Sequence, residues 1–358
     1  MKLPLLVIGD LVAKVPIIQG GMGVGVSRSR LASAVANCGG VGIISGVQIG
    51  FDEPDFETNT REANIRALRR HIRKAKELSP KGIIGLNLMV AINNYEELAK
   101  AAVEEGIDLI VSGAGLPTAL PKLVEGSNTK IAPIVSSGKG AAVITRMWIK
   151  KHNRLPDLVV VEGPLAGGHL GFSYEELTSD TLVDVKDILV EVIEALKPFE
   201  EEYGKKIPVV AGGGIFDGKD IAEFIKLGAS GVQIATRFIA TEECDADIKF
   251  KEAYVNAKQG DIQLVKSPVG MPGRAIRNNF VVQSEQGRTE IKKCYNCLKP
   301  CNPKTTPYCI SKALIQAVKG DVENGLVFSG SNGYKIDKIV TVEQLVNELV
   351  TEAESIDK

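Results

Sequence analysis

The stretch IPVVAGGGIFDGKDIAEFIKLGASGVQIA, residues 207–235, contains one complete strand–helix–strand unit. The apolar runs Ile207–Ala211 and Gly231–Ala235 are continuous rather than alternating, as is typical of strands buried on both faces of a parallel sheet. Between them, Asp217–Leu227 has the period of an amphipathic helix. It begins with an aspartate suited to the N-cap position and is followed directly by Gly228. The stretch therefore predicts a βαβ unit with three glycines between its first strand and its helix.

Six similar apolar runs precede this unit and complete a set of eight predicted strands. They are Pro16–Gln19, Val41–Ser45, Ile83–Met89, Asp108–Ser112, Ile131–Ser136 and Asp157–Glu162. Eight strands that alternate with helices predict an α/β fold, a closed (β/α)8 TIM barrel. A doubly wound open sheet is the alternative, because it also alternates strands and helices, but the count of eight favours closure.

The alternation stops after the eighth strand, and this change divides the chain. Residues 1–240 form the predicted barrel, and residues 241–335 form a loop-rich, cysteine-bearing insertion or cap. Residues 336–358 contain the amphipathic stretch Val340–Ile356, which predicts a C-terminal helix that packs on the barrel. A basic stretch at Arg66–Lys76 predicts a solvated helix face rather than a binding patch.

Composition and charge limit the classes of partner. The 358 residues carry 43 Lys and Arg against 44 Asp and Glu, so the net charge of −1 gives no reason to expect nucleic acid or an anionic membrane. No apolar run approaches the roughly 18 residues that span a bilayer, and the short N-terminal run lacks the form of a signal peptide. We expect a cytoplasmic protein with reduced cysteines. A homodimer is compatible with these properties.

Glycine and other small residues recur where the predicted strands end. In a barrel of this type the ligand lies at the C-terminal ends of the strands, where small residues let backbone N–H groups approach a flat ligand and its phosphate. Gly212–Gly214 follow strand seven and Ala235–Thr236 follow strand eight, and these are the two loops in which barrels commonly hold a phosphate. A tight turn without a ligand is the alternative for Gly212–Gly214, although one glycine would be enough for a turn.

His169 is the strongest candidate for catalysis. It lies in GGHLG, residues 167–171, in a loop after strand six that opens over the barrel mouth. An imidazole there can act as general acid, general base or hydrogen-bond donor near neutral pH. The alternative is a loop histidine bonded to the backbone. The other two histidines, His71 and His152, lie in basic helical stretches and are expected to be exposed bystanders.

Five motifs, in order along the chain, resemble one known family. They are PIIQGGMG (16–23), SGAG (112–115), VEGPLAGGHLG (161–171), VVAGGGIFDG (209–218) and GVQIATRF (231–238). Together they resemble the nitronate monooxygenase (2-nitropropane dioxygenase) family, which also includes the flavin-dependent enoyl-(acyl carrier protein) reductase. The resemblance covers about residues 1–245, and SPVGMPGRAIRNNF at 267–280 matches further.

The resemblance implies that the barrel binds FMN through its strand-end residues and that His169 is the active-site histidine. Gly21, Met22 and Asn87 would lie against the isoalloxazine and ribityl chain with Gly23 beside them, Glu162, Gly167 and Gly168 would line the other side, and Gly212, Gly213, Gly214, Gln233, Ala235 and Thr236 would surround the phosphate. Gly212 and Ala235 depart from the family, whose members often have alanine and glycine at these two positions. The methyl group of Ala235 comes close to the phosphate but leaves its amide free to bind.

The implied function is that of an FMN-dependent oxidoreductase, first of all a nitronate monooxygenase that oxidises alkyl nitronates with O2. His169 would then orient or deprotonate the nitro compound. The alternative is an NAD(P)H-dependent enoyl-(acyl carrier protein) reductase or related flavin reductase, in which His169 would polarise a thioester carbonyl. The substrate is thus a small molecule or a thioester. An alternative of another class is a non-redox phosphate-binding barrel enzyme, and a third is a flavin-binding module with a structural or sensing role.

Four of the six cysteines are close together in the cap. Cys294, Cys297, Cys301 and Cys309 form the pattern C-x2-C-x3-C-x7-C. This spacing suggests a thiolate metal site that holds either an iron–sulfur cluster or zinc. Reduced thiols without a metal are the alternative. The simplest members of the resembled family lack such a segment, so it is a departure.

Overall fold

The computed structural model describes residues 2–356 of the chain. Residue 1 of the predicted barrel and residues 357–358 of the predicted C-terminal segment lie outside the described residues. The strands are β1 Leu6–Ile8, β2 Leu11–Ala13, β3 Ile17–Gln19, β4 Val41–Ser45, β5 Ile83–Met89, β6 Leu109–Gly113, β7 Lys130–Val135, β8 Val159–Glu162, β9 Gly168–His169, β10 Val209–Gly212, β11 Gly231–Ile234, β12 Ile262–Lys266 and β13 Pro272–Ile276.

The helices alternate with the barrel strands and continue into the cap. They are α1 Ser29–Asn37, α2 Thr60–Leu78, α3 Tyr95–Glu104, α4 Leu120–Leu123, α5 Gly138–His152, α6 Tyr174–Leu177, α7 Val185–Tyr203, α8 Gly218–Lys226, α9 Thr236–Ile239, α10 Ile248–Asn256, α11 Asn279–Gln286, α12 Ile310–Val318 and α13 Val342–Ser355, with 3-10 turns at Gln259–Asp261 and Gly333–Lys335. Among the described residues, no helix is both long and apolar enough to cross a membrane.

Eight parallel strands close into a barrel, in the order β10-β11-β3-β4-β5-β6-β7-β8. All eight predicted strands are therefore confirmed, and the open-sheet alternative is excluded because β8 pairs with β10 and β11 pairs with β3. The predicted N-cap of α8 is confirmed as well, since the Asp217 side chain accepts from the amides of Lys219 and Asp220. Gly228 after this helix has a positive φ of +101°, as a helix-ending glycine requires.

The first two strands close the bottom of the barrel, which sequence reasoning did not foresee. β1 and β2 form an antiparallel hairpin, and its residues Leu6, Ile8 and Ala13 pack into the same buried cluster as the inward-facing residues of the barrel strands. The hairpin covers the end of the barrel opposite to the strand C-termini. Any ligand is consequently restricted to the other end.

The cap contains more regular structure than its loop-rich sequence suggested. β12 pairs with β13, and β13 in turn pairs with β9, the two-residue strand that contains His169. The cap is therefore joined by main-chain hydrogen bonds to the loop after β8. The C-terminal helix α13 packs on α8 and α1. The division of the chain at residues 240 and 335 stays a prediction.

Candidate active site

The floor of the candidate site is formed by side chains that point into the barrel. Along each barrel strand these alternate with side chains that point outwards to the helices. Leu158 and Val160 belong to the cluster inside the barrel, whereas Val159 and Val161 pack against the helices. Glu162, two residues after Val160, therefore continues the inner face at the C-terminal end of β8. The same rule brings further residues to this layer, namely Ser45, Asn87, Gly113, Ile134 and Gln233.

A cavity of about 600 Å³ lies above this layer, between the barrel loops and the cap. Its volume is within the range of small-molecule sites, roughly 300–1,000 Å³. The predicted residues that border it are Gly21, Met22, Gly23, Asn87, Glu162, Gly167, Gly168, His169, Gly213, Gly214, Gln233, Ala235 and Thr236. Gly212 does not border the cavity, although Glu162 of β8 and Gln233 of β11, its partners in register, do.

The rim after β10 fits the phosphate end of a flavin mononucleotide. Gly213 and Gly214 have φ angles of +100° and +87°, which side-chain-bearing residues rarely adopt. A Cβ atom on Gly213 would lie 3.0 Å from the carbonyl oxygen of Gly163, and one on Gly214 would lie 3.1 Å from Cβ of Leu165. The main chain here borders the cavity without intervening side chains, so its polar groups can approach a phosphate closely.

His169 is held at the boundary between barrel and cap. Its Nε2 is 2.7 Å from Oγ of Ser267, and its ring meets the ring of Phe328 edge-on, with centroids 5.0 Å apart. Enclosure by these groups lowers the pKa of His169 to about 4, because burial penalises the charged imidazolium. The imidazole is therefore neutral at pH 7, and the bond to Ser267 leaves Nδ1 for a substrate.

Glu162 supplies a carboxyl group at the floor of the same cavity. Burial raises its pKa to about 7. The physical cause is desolvation, since an ionised carboxylate loses its hydration at this position. Near neutral pH the group exists in both protonation states, which is the property of a group that can store or deliver a proton.

Comparison with known proteins agrees with this geometry. The family model for nitronate monooxygenase matches residues 7–352. The chain belongs to the nitronate monooxygenase family. It is accordingly a flavin-dependent oxidoreductase, and the resemblance seen in its motifs is confirmed.

The proteins similar to this chain carry the names of different enzymes. A probable nitronate monooxygenase of Staphylococcus saprophyticus is 27% identical over 81% of this chain and 83% of its own length. An octahydro-indene carboxyl-CoA dehydrogenase of Mycobacterium tuberculosis is 27% identical over 76% of this chain and 66% of its own length. The structure of FabK from Thermotoga maritima superposes with a TM-score of 0.73 at 27% identity, covering 96% of this chain and 93% of that one.

The cap contributes site residues that sequence reasoning missed. Ser267 and Phe328 contact His169, and Asn332 Nδ2 donates to the Gly214 carbonyl at 2.6 Å. A signal for Ser267 was present, because it begins the stretch 267–280 that resembles the family. The Gly- and Ser-rich loop 328–333 was a second signal, since such loops approach ligands closely.

The cysteine segment forms part of the cavity wall but does not support the predicted metal site. Cys294 and Cys297 border the cavity, and Asn93 N donates to the Cys297 carbonyl at 3.1 Å. In residues 2–356, no three His, Cys, Asp or Glu side chains are grouped so that they could hold a metal ion. Burial raises the pKa of Cys297 to about 11. Burial also raises the pKa values of Cys301 and Cys309.

The other two histidines take no part in the cavity, as expected, but they are less exposed than predicted. His71 of α2 is half-buried, with Nδ1 3.0 Å from Oγ of Ser29 in α1. His152 is also half-buried, with Nε2 3.2 Å from the carbonyl oxygen of Thr118. Both rings face the inner side of their helices, where a basic sequence pattern gave no indication of burial.

Proposed function

We propose that this chain is an FMN-dependent nitronate monooxygenase that oxidises alkyl nitronates with O2. The observation that carries the proposal is the neutral imidazole of His169 in a cavity whose rim at Gly213 and Gly214 is bare main chain. Bound FMN would supply the electron-accepting chemistry. Gly213, Gly214 and Thr236 would hold its phosphate, and Asn87 and Met22 would lie against its ring and ribityl chain.

His169 would bind the nitro compound by a hydrogen bond or remove its proton. An anionic nitronate needs a hydrogen-bond donor, and a neutral nitroalkane needs a base that removes its proton. A neutral imidazole can serve either need through Nδ1, depending on which ring nitrogen carries the hydrogen. Ser267 is compatible with either arrangement, because its hydroxyl can donate to Nε2 or accept from it over 2.7 Å.

An NAD(P)H-dependent enoyl-(acyl carrier protein) reductase or a related flavin reductase is the second candidate. Two observations favour it. The superposition with FabK extends over 96% of this chain, and the relative from Mycobacterium tuberculosis is named for a CoA thioester. In that reaction His169 would donate a hydrogen bond to the thioester carbonyl. The non-redox phosphate-binding enzyme is set aside, because the family consists of flavin oxidoreductases.

Anaerobic mixing experiments test the choice. The FMN-loaded protein is mixed in turn with an alkyl nitronate, NADH and NADPH, and the flavin absorbance is followed. We expect rapid bleaching by the nitronate alone, and reoxidation when O2 is admitted. Rapid bleaching by a pyridine nucleotide and none by the nitronate would assign the chain to the reductases. The His169→Ala variant is the control that separates binding from chemistry.

Other expectations remain predictions. Iron, sulfide and zinc analysis of anaerobically purified protein would test the iron–sulfur cluster or zinc at Cys294, Cys297, Cys301 and Cys309. A cytoplasmic location, a homodimer, and the lack of nucleic-acid and membrane partners also stay predictions. Fractionation and sedimentation would test them.

A further inference from the structure

A buried arginine of the cap, Arg274, contacts the loop that leads to His169. It lies in β13 opposite Gly168, and its Nη1 donates to the carbonyl oxygens of Pro164 at 2.8 Å and Ala166 at 2.6 Å. The Arg274 carbonyl accepts from the amide of Ser329 at 3.0 Å. Ala166 borders the cavity and Arg274 does not, so the guanidinium lies one main-chain layer behind the cavity wall.

The two bonds determine which way the loop's peptide groups face. In a trans peptide, the C=O of one residue and the N–H of the next point in opposite directions, and among residues 2–356 the cis bond is at Gly23–Val24, outside this loop. With the Pro164 and Ala166 carbonyls held against the guanidinium, the N–H groups of Leu165 and Gly167 must point away from it. The Leu165 carbonyl also points away, since it accepts from the Ser331 amide at 3.1 Å.

The far side of this loop is the side of the cavity. Ser331 and Gly330 border the cavity together with Leu165, Ala166 and Gly167. Gly167 is close to the same loop, because a Cβ atom on it would lie 2.5 Å from the amide nitrogen of Gly330. The amides of Leu165 and Gly167 thus point to the part of the cavity wall beside Gly213 and Gly214, the rim after β10.

The charge of Arg274 adds to this effect. The residue is only 7% exposed, and its pKa is lowered by burial without an opposing contribution from any carboxylate in the described part of the chain. An unbalanced positive charge in a low-dielectric region favours negative charge in the space beside it. The aligned amides point their positive ends in the same direction.

We propose that Arg274 is a positioning residue of the flavin site: by holding the carbonyls of Pro164 and Ala166 it presents the amides of Leu165 and Gly167, together with its own field, to the bound flavin. The inference depends on flavin binding and not on the substrate. If the protein bound FMN but failed to oxidise nitronates, the proposed function would fall and this inference would stand.

Two variants and one control test the proposal in the full chain. Arg274→Met removes the charge and both bonds, whereas Arg274→Lys keeps the charge but cannot reproduce the planar fork. Arg277→Met is the matched control, because Arg277 is an exposed arginine three residues further along that bonds Gln263 and Glu285. The measurements are the FMN dissociation constant, hydrogen exchange of residues 163–169 in flavin-free protein, and the reduction potential of the bound flavin.

We expect Arg274→Met to weaken FMN binding about 10- to 30-fold, as the loss of two hydrogen bonds implies. Exchange at residues 163–169 should accelerate, and the potential should become more negative because added charge on the flavin loses its stabilisation. Arg274→Lys should restore the potential in part, and Arg277→Met should change none of the three. A wild-type potential and wild-type exchange in Arg274→Met would overturn the proposal. If that variant does not fold, the same result in Arg274→Lys overturns it.

Discussion

Replacing Glu162 by Gln should change how the stability of the protein depends on pH. The pKa of Glu162 is raised by burial from 4.5 to about 7. Between these two pH values the folded chain holds a proton that the unfolded chain has lost, so folding becomes less favourable as pH rises through this window. Since one pKa unit corresponds to 1.36 kcal/mol, the wild-type protein loses about 3 kcal/mol of stability across it. A glutamine cannot ionise and avoids this loss.

The assay is urea unfolding of flavin-free wild type and Glu162→Gln at pH 5, 6, 7 and 8. The stability difference between the two proteins should be small near pH 5, should grow in favour of the variant up to about pH 7, and should then stay constant. Comparing the two proteins at each pH cancels the contributions of other titrating groups. Glu175→Gln, which changes an exposed carboxylate, is the control and should give a constant difference. A constant difference for Glu162→Gln as well would show that the carboxyl is hydrated and that the reasoning from burial is wrong.

Three further predictions concern the site and the core. His169→Ala should keep FMN bound but lower turnover by about 100-fold or more, as kcat measurements will show, and Ser267→Ala should have a smaller effect in the same direction because it only orients the imidazole. Gly213→Val should yield protein without FMN, since a side chain there meets the Gly163 carbonyl; stoichiometric flavin in the purified variant would show that the phosphate lies elsewhere. Trp148→Ala should destabilise the fold by about 3–5 kcal/mol in denaturant titrations, because the indole is fully buried.

The barrel was predictable because its signals are local. A strand buried on both faces is a continuous apolar run, as in Ile83–Met89. Residues such as Asp217 and Gly228 mark the start and the end of a helix. The strand-end rule then predicted a ligand at the C-terminal ends of the strands, and Glu162, Asn87 and Gln233 border the cavity found there. These inferences needed only the order of residues along the chain.

The cap was not predictable in the same way because its structure depends on partners distant in sequence. β9 is two residues long and exists only because β13, more than a hundred residues later, pairs with it. No local pattern marks Gly168–His169 as a strand. The cysteine spacing, in contrast, is a local pattern that suggested a metal site. That metal site stays a prediction, and the segment is held against the barrel through its main chain, where Lys299 N donates to the Ala91 carbonyl.

The protonation states of the site explain how one arrangement can suit two kinds of substrate. Between about pH 4, where His169 becomes neutral, and about pH 7, where Glu162 ionises, neither side chain carries a charge. The cavity then presents hydrogen-bonding groups to either an anionic nitronate or the carbonyl of a neutral thioester, and the positive field of Arg274 behind them favours the anion. Any further selection between these substrates must come from shape. The cap supplies apolar parts of the wall, where Leu298 and Leu314 border the cavity. Replacing the cap by that of a relative should accordingly change which substrate is used, whereas changes to the barrel should not.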